Sequence, residues 1–299
     1  LVGSEMCIRD SNHTEYSLLD GACKIWDEKK PGELLKTVAN RFKMGALAIT
    51  DHGNMFGAIE FYGACLESGI KPILGCEVYM AKGSRLDKDP KNYTGNYHLT
   101  LLAQNNTGYK NLLKLVSTGY LEGFYRKPRI DFETLLKYSD GIICLSGCLQ
   151  GEVPKLLLSG KTDEARQCIQ KYREIFGGRY YLEIMDNGME EQKRVMKRLV
   201  EFSNELDVEL VATNDCHYLT RADAPIHELL LCIDTGTTIS DPKRMRFPTD
   251  EFYYRSADEM KALFKDVPRA IENTLKIASE CAVELKMGEF VLPHYEVPD

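Results

Sequence analysis

From residue 32 to about residue 216, short apolar runs alternate with longer segments of helical period, and most runs contain or closely precede a His, Asp, Glu or Cys of metal-ligating type. The strand candidates are Ala46–Thr50, Pro72–Met80, His98–Ala103, Ile142–Ser146, Tyr180–Met185 and Glu209–Thr213. Between them, apolar residues recur at three- and four-residue steps: Ile59/Tyr62/Leu66, Leu113/Val116/Tyr120, Ala165/Ile169/Tyr172/Phe176 and Val195/Leu199/Phe202/Leu206. Strands alternating with helices predict a mostly parallel sheet, either closed into a barrel or open with helices on both faces. Residues 82–96 break this rhythm: the stretch is turn-rich with no helical period, so it joins neighbouring antiparallel strands. An irregular α/β barrel is therefore expected in place of a regular eightfold one.

After residue 217 the pattern changes to helices and loops. Ser256-Ala257-Asp258-Glu259 is a capping-box signature ahead of a helical stretch reaching Cys281, and Gly177-Gly178 is a helix stop after Phe176. Residues 286–299 read as the start of a linker leading out of a truncated chain. Residues 1–11 have no apolar signal-peptide core and read as a non-native or divergent segment similar to translated adapter sequence.

The strand ends carry the chemistry. Ala46–Thr50 runs into Asp51-His52-Gly53, and Leu210–Thr213 runs through Asn214 into Asp215-Cys216-His217. Glu77 lies in the second strand, His98 opens the third, and Cys148 follows the fourth. In α/β barrels the carboxyl ends of the strands form the rim on which sites are built. A rim of His, Asp, Glu and Cys suits a divalent metal cluster. Asp215 and His217, two apart, would share a face on a regular strand. Antiparallel pairing brings His98 beside the Glu77 strand end. His227 and His294 read as structural, on a helix and in the tail.

No apolar run reaches the roughly 20 residues needed to cross a bilayer. Ten scattered cysteines without a CxxC pair suit a reduced, cytoplasmic protein. The formal charge of −7 gives no bulk attraction for nucleic acid, which leaves that work to local basic loops. Two exist, Arg126-Lys127-Pro128-Arg129 and Lys243-Arg244-Met245-Arg246. Arg126, Lys127 and Arg129 are the candidate DNA contacts, with a solvated loop as the alternative.

His13-Thr14-Glu15-Tyr16-Ser17-Leu18-Leu19-Asp20-Gly21 and Ile49-Thr50-Asp51-His52-Gly53 resemble the first two motifs of the polymerase and histidinol phosphatase (PHP) superfamily. Gly75-Cys76-Glu77, Tyr97-His98-Leu99, Ser146-Gly147-Cys148-Leu149 and Asn214-Asp215-Cys216-His217 are similar to the remaining motifs, in order. Gly123–Asp131, Phe247–Tyr253 and Gly288–Pro293 resemble one branch, the alpha subunits of bacterial DNA polymerase III. The resemblance covers residue 12 to the end, with 12–285 as the barrel domain and closing helices at its C-terminus.

It implies a distorted (β/α)7 barrel holding up to three Zn²⁺ or Mn²⁺ ions, with Mg²⁺ a further candidate. The implied ligands are His13, Asp20, His52, Glu77, His98, Cys148, Asp215 and His217. Among these His52, Asp215 and His217, together with Asp51, form the catalytic set, Asp51 orienting ligands from behind. One ligand is absent: the family's first motif is His-x-His, and its first histidine falls on Ser11, after Cys7-Ile8-Arg9-Asp10 where an apolar strand is expected.

The implied activity is phosphodiester hydrolysis, as a 3′→5′ proofreading exonuclease. Implied partners are DNA, the rest of a polymerase chain and replisome subunits such as a separate exonuclease. A non-catalytic docking platform and a free-standing histidinol-phosphatase-like enzyme are the rivals. Polymerase chemistry is not expected here, since the sole Asp-x-Asp, Asp87-Lys88-Asp89, sits in a turn-rich loop before Pro90.

Overall fold

A computed structural model describes residues 11–28 and 30–288. The main sheet has seven strands: β1 (Ala46–Ile49), β2 (Lys71–Ala81), β3 (Asn96–Ala103), β4 (Arg129–Ile130), β5 (Ile142–Leu145), β6 (Tyr180–Ile184) and β7 (Leu210–Ala212). The path runs β1-β2-β3-β5-β6-β7, with the short β4 paired to β2. β3 is antiparallel to both its neighbours, while β1·β2, β5·β6 and β6·β7 are parallel. Reversal of β3 follows from residues 82–95, which form turns and no crossover helix. Its first residues therefore stand at the rim where the other strands end.

Residues 11–14 close the curl between β1 and β7. His13 N donates to Cys216 O (2.9 Å), Cys216 N to Ser11 O (3.2 Å), and Thr50 N to Asn12 O (3.0 Å). The curled mixed sheet with this closure and its surrounding helices is the expected distorted barrel. Alternation along each strand sorts its residues between two cores. Ala46, Ala48, Ile73, Leu102, Ile143, Leu145, Tyr181 and Val211 form the inner one, stoppered by Ile277, Ala278 and Cys281 at the end of the chain's last described helix, Pro268–Glu280. Leu47, Leu74, Leu101, Cys144, Leu182 and Leu210 face the outer helices.

The outer helices include Ala58–Glu67, Asn106–Leu121, Thr162–Phe176 and Glu190–Leu206, where helical periodicity predicts them. For the first two the expected buried face is shifted. Ile59, Leu66 and Leu113 are exposed, and Phe61, Cys65, Leu112 and Leu115 are buried in their place. These helices have apolar residues on more than one side, so spacing alone does not choose the face. The Ser256 capping box is present, but the stretch it opens is two helices, Ala257–Leu263 and Pro268–Glu280, because Pro268 starts a helix well and cannot continue one.

Candidate metal centre

Inward alternation sets the barrel's mouth. Above the apolar inner core, each inward position becomes polar: Thr50 then His52, Glu77 then Tyr79, Thr100 then His98 on the reversed strand, Glu183, and Thr213 then Asp215. Glu77 sits at the centre. Its Oε1 lies 2.6 Å from His98 Nδ1 and 2.9 Å from His52 Nδ1, and its Oε2 lies 4.0 Å from His13 Nε2. His13 Nε2 is 3.1 Å from Asp215 Oδ1, and His52 Nε2 is 3.1 Å from Asp20 Oδ2. Cys148 Sγ is 3.8 Å from His98 Nδ1, and His217 Nε2 is 3.9 Å from Asp20 Oδ1. All eight sequence-derived ligand candidates therefore converge on one pocket.

Local backbone explains several of these placements. β7 ends at Ala212, and Asp215 adopts φ +50, so its proximity to His217 arises from a left-handed turn and not from the strand alternation expected. His217 Nδ1 donates to Asp215 O at 2.8 Å, which leaves Nε2 as the acceptor nitrogen facing the cluster. After β5, Gly147 at φ +85 reverses the chain so that Cys148 returns to His98. A Cβ there would stand 2.6 Å from His98 O.

Asp51 does not face the cluster. Its carboxylate accepts from Thr14 N (2.7 Å), Thr14 Oγ1 (2.8 Å) and Ser17 Oγ (2.7 Å), fixing the loop that presents His13. Ser17 Oγ also accepts from His52 N (3.1 Å). Asp51 thus positions the His13 and His52 loops and is not one of the groups that converge on the cluster. Ser11 is buried with its hydroxyl unpartnered, two residues before His13 on the same extended segment.

Electrostatics mark the pocket as built for positive charge. Burial opposes ionisation of Glu77, yet His98 and His52 hold its carboxyl well below the usual range. Burial likewise opposes ionisation of Asp20 and Asp215, and neighbouring imidazoles, His217 foremost, pull both down. Burial and the neighbouring His52 and His217 lower His13, whereas for His52 the carboxylates of Glu77 and Asp20 outweigh burial and raise it. Imidazoles and carboxylates whose ligand atoms lie within 4.8 Å form three overlapping triads, and the Cys148 thiol lies 3.8 Å from His98 Nδ1, a donor set that fits divalent metal ions.

Three placements went unread or wrongly read in the sequence. Arg129 is corrected in its placement: it is 4% exposed, and its guanidinium donates inward to the carbonyls of Gly123 (3.0 Å), Arg85 (3.0 Å) and Asp87 (2.8 Å), in place of facing solvent on the loop. Arg126 and Lys127 are exposed, and Lys127 Nζ lies 5.5 Å from the Tyr79 ring centre, itself 5.2 Å from the His98 ring. His227, read as structural, lies with Nε2 3.3 Å from Asp20 Oδ1 at the edge of the cluster. Glu183, buried beneath it, accepts from Thr213 Oγ1 (2.7 Å) and Gly147 N (3.0 Å).

Residues 11–187 match the family model of the PHP domain. The chain belongs to the PHP domain family. This PHP chain is 46% identical over 288 residues to the DNA polymerase III subunit alpha of Borreliella burgdorferi, covering 96% of this chain and 24% of that one. Identity is 44% to the same subunit of Treponema pallidum and 45% to that of Thermus aquaticus, again covering 96% of this chain and 24% of theirs. The PHP chain thus spans about a quarter of the length of the curated relatives it matches. Among solved structures, an amidohydrolase from Chromobacterium violaceum shares 13% identity at a TM-score of 0.43, covering 72% of this chain and 88% of that one. A putative metal-dependent phosphoesterase from Bifidobacterium adolescentis shares 17% at 0.40, with the same coverages. Neither score reaches the level at which a shared fold follows. No helix among the described residues is long and apolar enough to cross a membrane.

Proposed function

We propose that this PHP domain is a divalent-metal phosphoesterase that removes nucleotides from 3′ ends of DNA, as the proofreading part of a replicative polymerase alpha subunit. The observation that carries the reading is Glu77, whose two carboxylate oxygens face His52 and His98 on one side and His13 on the other. A carboxylate so placed spans two adjacent sites. One site would use His52 and His98 with Cys148, and the other His13 with Asp215. Asp20 and His217 would complete a third at the pocket edge.

Divalent ions held by these residues would supply Lewis acidity for phosphodiester hydrolysis. This chain's own residues hold and orient that chemistry. Asp51 and Ser17 fix the His13 and His52 loops. Lys127, exposed beside Tyr79, supplies a cation at the rim where a DNA phosphate would approach. Zn²⁺ suits the mixed nitrogen, oxygen and sulfur donors better than Mg²⁺, which prefers oxygen, and Mn²⁺ fits the sites dominated by carboxylates.

The test is release of 3′-terminal nucleotides from single-stranded DNA by the purified chain with Mn²⁺ or Zn²⁺. Activity abolished by chelation and by Glu77→Ala supports the reading. A chain that binds the ions and hydrolyses no phosphodiester is a docking module instead.

A further inference from the structure

A cleft of about 580 Å³ opens against the cluster, lined among others by Tyr218, Ala222, His227, Arg246, Phe247 and Thr249. Two of these residues connect it directly to the candidate ligands. The Phe247 ring lies 4.9 Å from the His217 ring and 4.5 Å from the His227 ring, and His227 Nε2 lies 3.3 Å from Asp20 Oδ1. The volume falls within the 300–1,000 Å³ usual for small-ligand pockets. Its lining is neither a plain apolar groove nor a charged one. Phe247 is half-buried and held edge-on by His217, His227 and Phe252, which makes it a rigid aromatic surface.

Of the four charged residues lining the cleft, Arg221 and Glu228 are engaged in ion pairs and Arg246 and the exposed Asp250 are not, among the described residues. Arg221 pairs with Glu251 at 2.7 Å, and Arg244 with Glu228 at 2.8 Å. Arg246 is exposed and has no carboxylate within ion-pair distance among the described residues. It therefore offers a planar fork of N–H donors in the same cleft as the Phe247 ring, and the two groups together suit a flat heterocycle bearing acceptor atoms.

We propose that this cleft holds the nucleoside of the terminal nucleotide, its base against Phe247 and Arg246, while the attached phosphate lies at the Asp20–His217 edge of the cluster. The proposal rests on the phosphoesterase reading above and adds the recognition of the departing residue. Base–aromatic stacking tolerates every base, so the cleft would bind all four nucleosides, as removal of any misincorporated residue requires.

The experiment measures binding of dTMP, thymidine and 2-deoxyribose 5-phosphate to the Mn²⁺-loaded chain by calorimetry, with hydrolysis of bis(p-nitrophenyl) phosphate assayed in parallel. dTMP should bind at least about tenfold tighter than 2-deoxyribose 5-phosphate. Ala222→Trp, which fills the cleft from an exposed lining position, should shrink that ratio below about twofold, and Arg246→Ala should reduce it several-fold. Equal affinity for the two phosphates, or a ratio indifferent to both substitutions, overturns the cleft proposal even when bis(p-nitrophenyl) phosphate is hydrolysed. Conversely, dTMP or thymidine binding that Ala222→Trp abolishes, in a chain that hydrolyses neither bis(p-nitrophenyl) phosphate nor single-stranded DNA, upholds the cleft and overturns the phosphoesterase reading. No binding of dTMP or thymidine overturns the cleft.

Discussion

His217 donates through Nδ1 to the main-chain oxygen of Asp215, 2.8 Å away, inside a turn that Asp215 makes at φ +50. The turn settles the imidazole's tautomer and points its other nitrogen at Asp20. His217→Ala should remove one ion's worth of binding from the chain, and His217→Gln should not restore it, because the amide cannot reproduce both contacts. Metal content after dialysis against Mn²⁺ or Zn²⁺ reads the outcome; unchanged content in both variants counts against a ligand role.

Asp51 acts through the loop it holds. Asp51→Ala strips acceptors from Thr14 N, Thr14 Oγ1 and Ser17 Oγ at once. Loss of such an outer partner costs roughly 10–100-fold in metal affinity. Asp51→Asn, which keeps an oxygen for Thr14 N, should fall between wild type and Ala. Titration of Mn²⁺ into the three proteins checks the order, and equal affinities would remove Asp51 from the design.

Much of this site was legible because of one-dimensional rules. Runs such as Ala46–Ile49 and Ile142–Leu145 are buried on both faces, so they appear in sequence as unbroken apolar stretches. The turn-rich stretch before Asn96 announced the reversed strand, and with it the position of His98. What escaped depends on contacts distant in sequence. The basic run around Arg129 looks solvated until Gly123, Arg85 and Asp87 turn their carbonyls toward it. His227 sits on a helix whose approach to Asp20 no local period encodes. Its position ten residues after His217, followed by the aromatic Phe247–Tyr253 segment, was the available signal.

Arg129 should behave as a structural residue. Arg129→Ala leaves the carbonyl of buried Gly123 and those of Arg85 and Asp87 without their donor and should destabilise the fold by about 1–3 kcal/mol. Lys127→Ala should leave stability within about 0.5 kcal/mol and weaken single-stranded DNA binding, with a shallower salt dependence. Denaturant melts and salt-titrated DNA binding separate the two residues. The opposite assignment would restore Arg129 as a DNA contact.

Glu183 gives the fold a pH signature. Burial, opposed by its bond from Thr213 and reinforced by Asp215 and Glu77, raises its carboxyl from 4.5 to about 8. Between those values the folded chain holds a proton that the unfolded chain has released, so stability falls as pH rises through the window. The slope is at most about 1.4 kcal/mol per pH unit. Glu183→Gln mimics the protonated form and should flatten the decline in chelated protein between pH 5 and 8. Parallel curves for the two proteins would place the Glu183 titration elsewhere.

Ser11 stands two residues before His13 on the closing segment, buried and with an unpartnered hydroxyl. Extended geometry puts residues 11 and 13 on the same face. Ser11→His should therefore add an imidazole to the His13 side of the cluster and raise Mn²⁺ or Zn²⁺ affinity at least tenfold, consistent with the effect of ligand-shell changes. Calorimetric titration of both proteins decides it, and equal affinities would show that position 11 is no ligand position.

Glu77 touches three of the four imidazoles around the cluster, so its removal tests the centre as a whole. The measurement is metal stoichiometry by elemental analysis of wild type and Glu77→Ala after equilibration with Mn²⁺ or Zn²⁺. Two or three ions per wild-type chain, falling by at least one in the folded variant, is the expected result. Wild-type protein that retains no ion, or a variant that retains as many as wild type, would contradict a metal cluster at the mouth of this barrel.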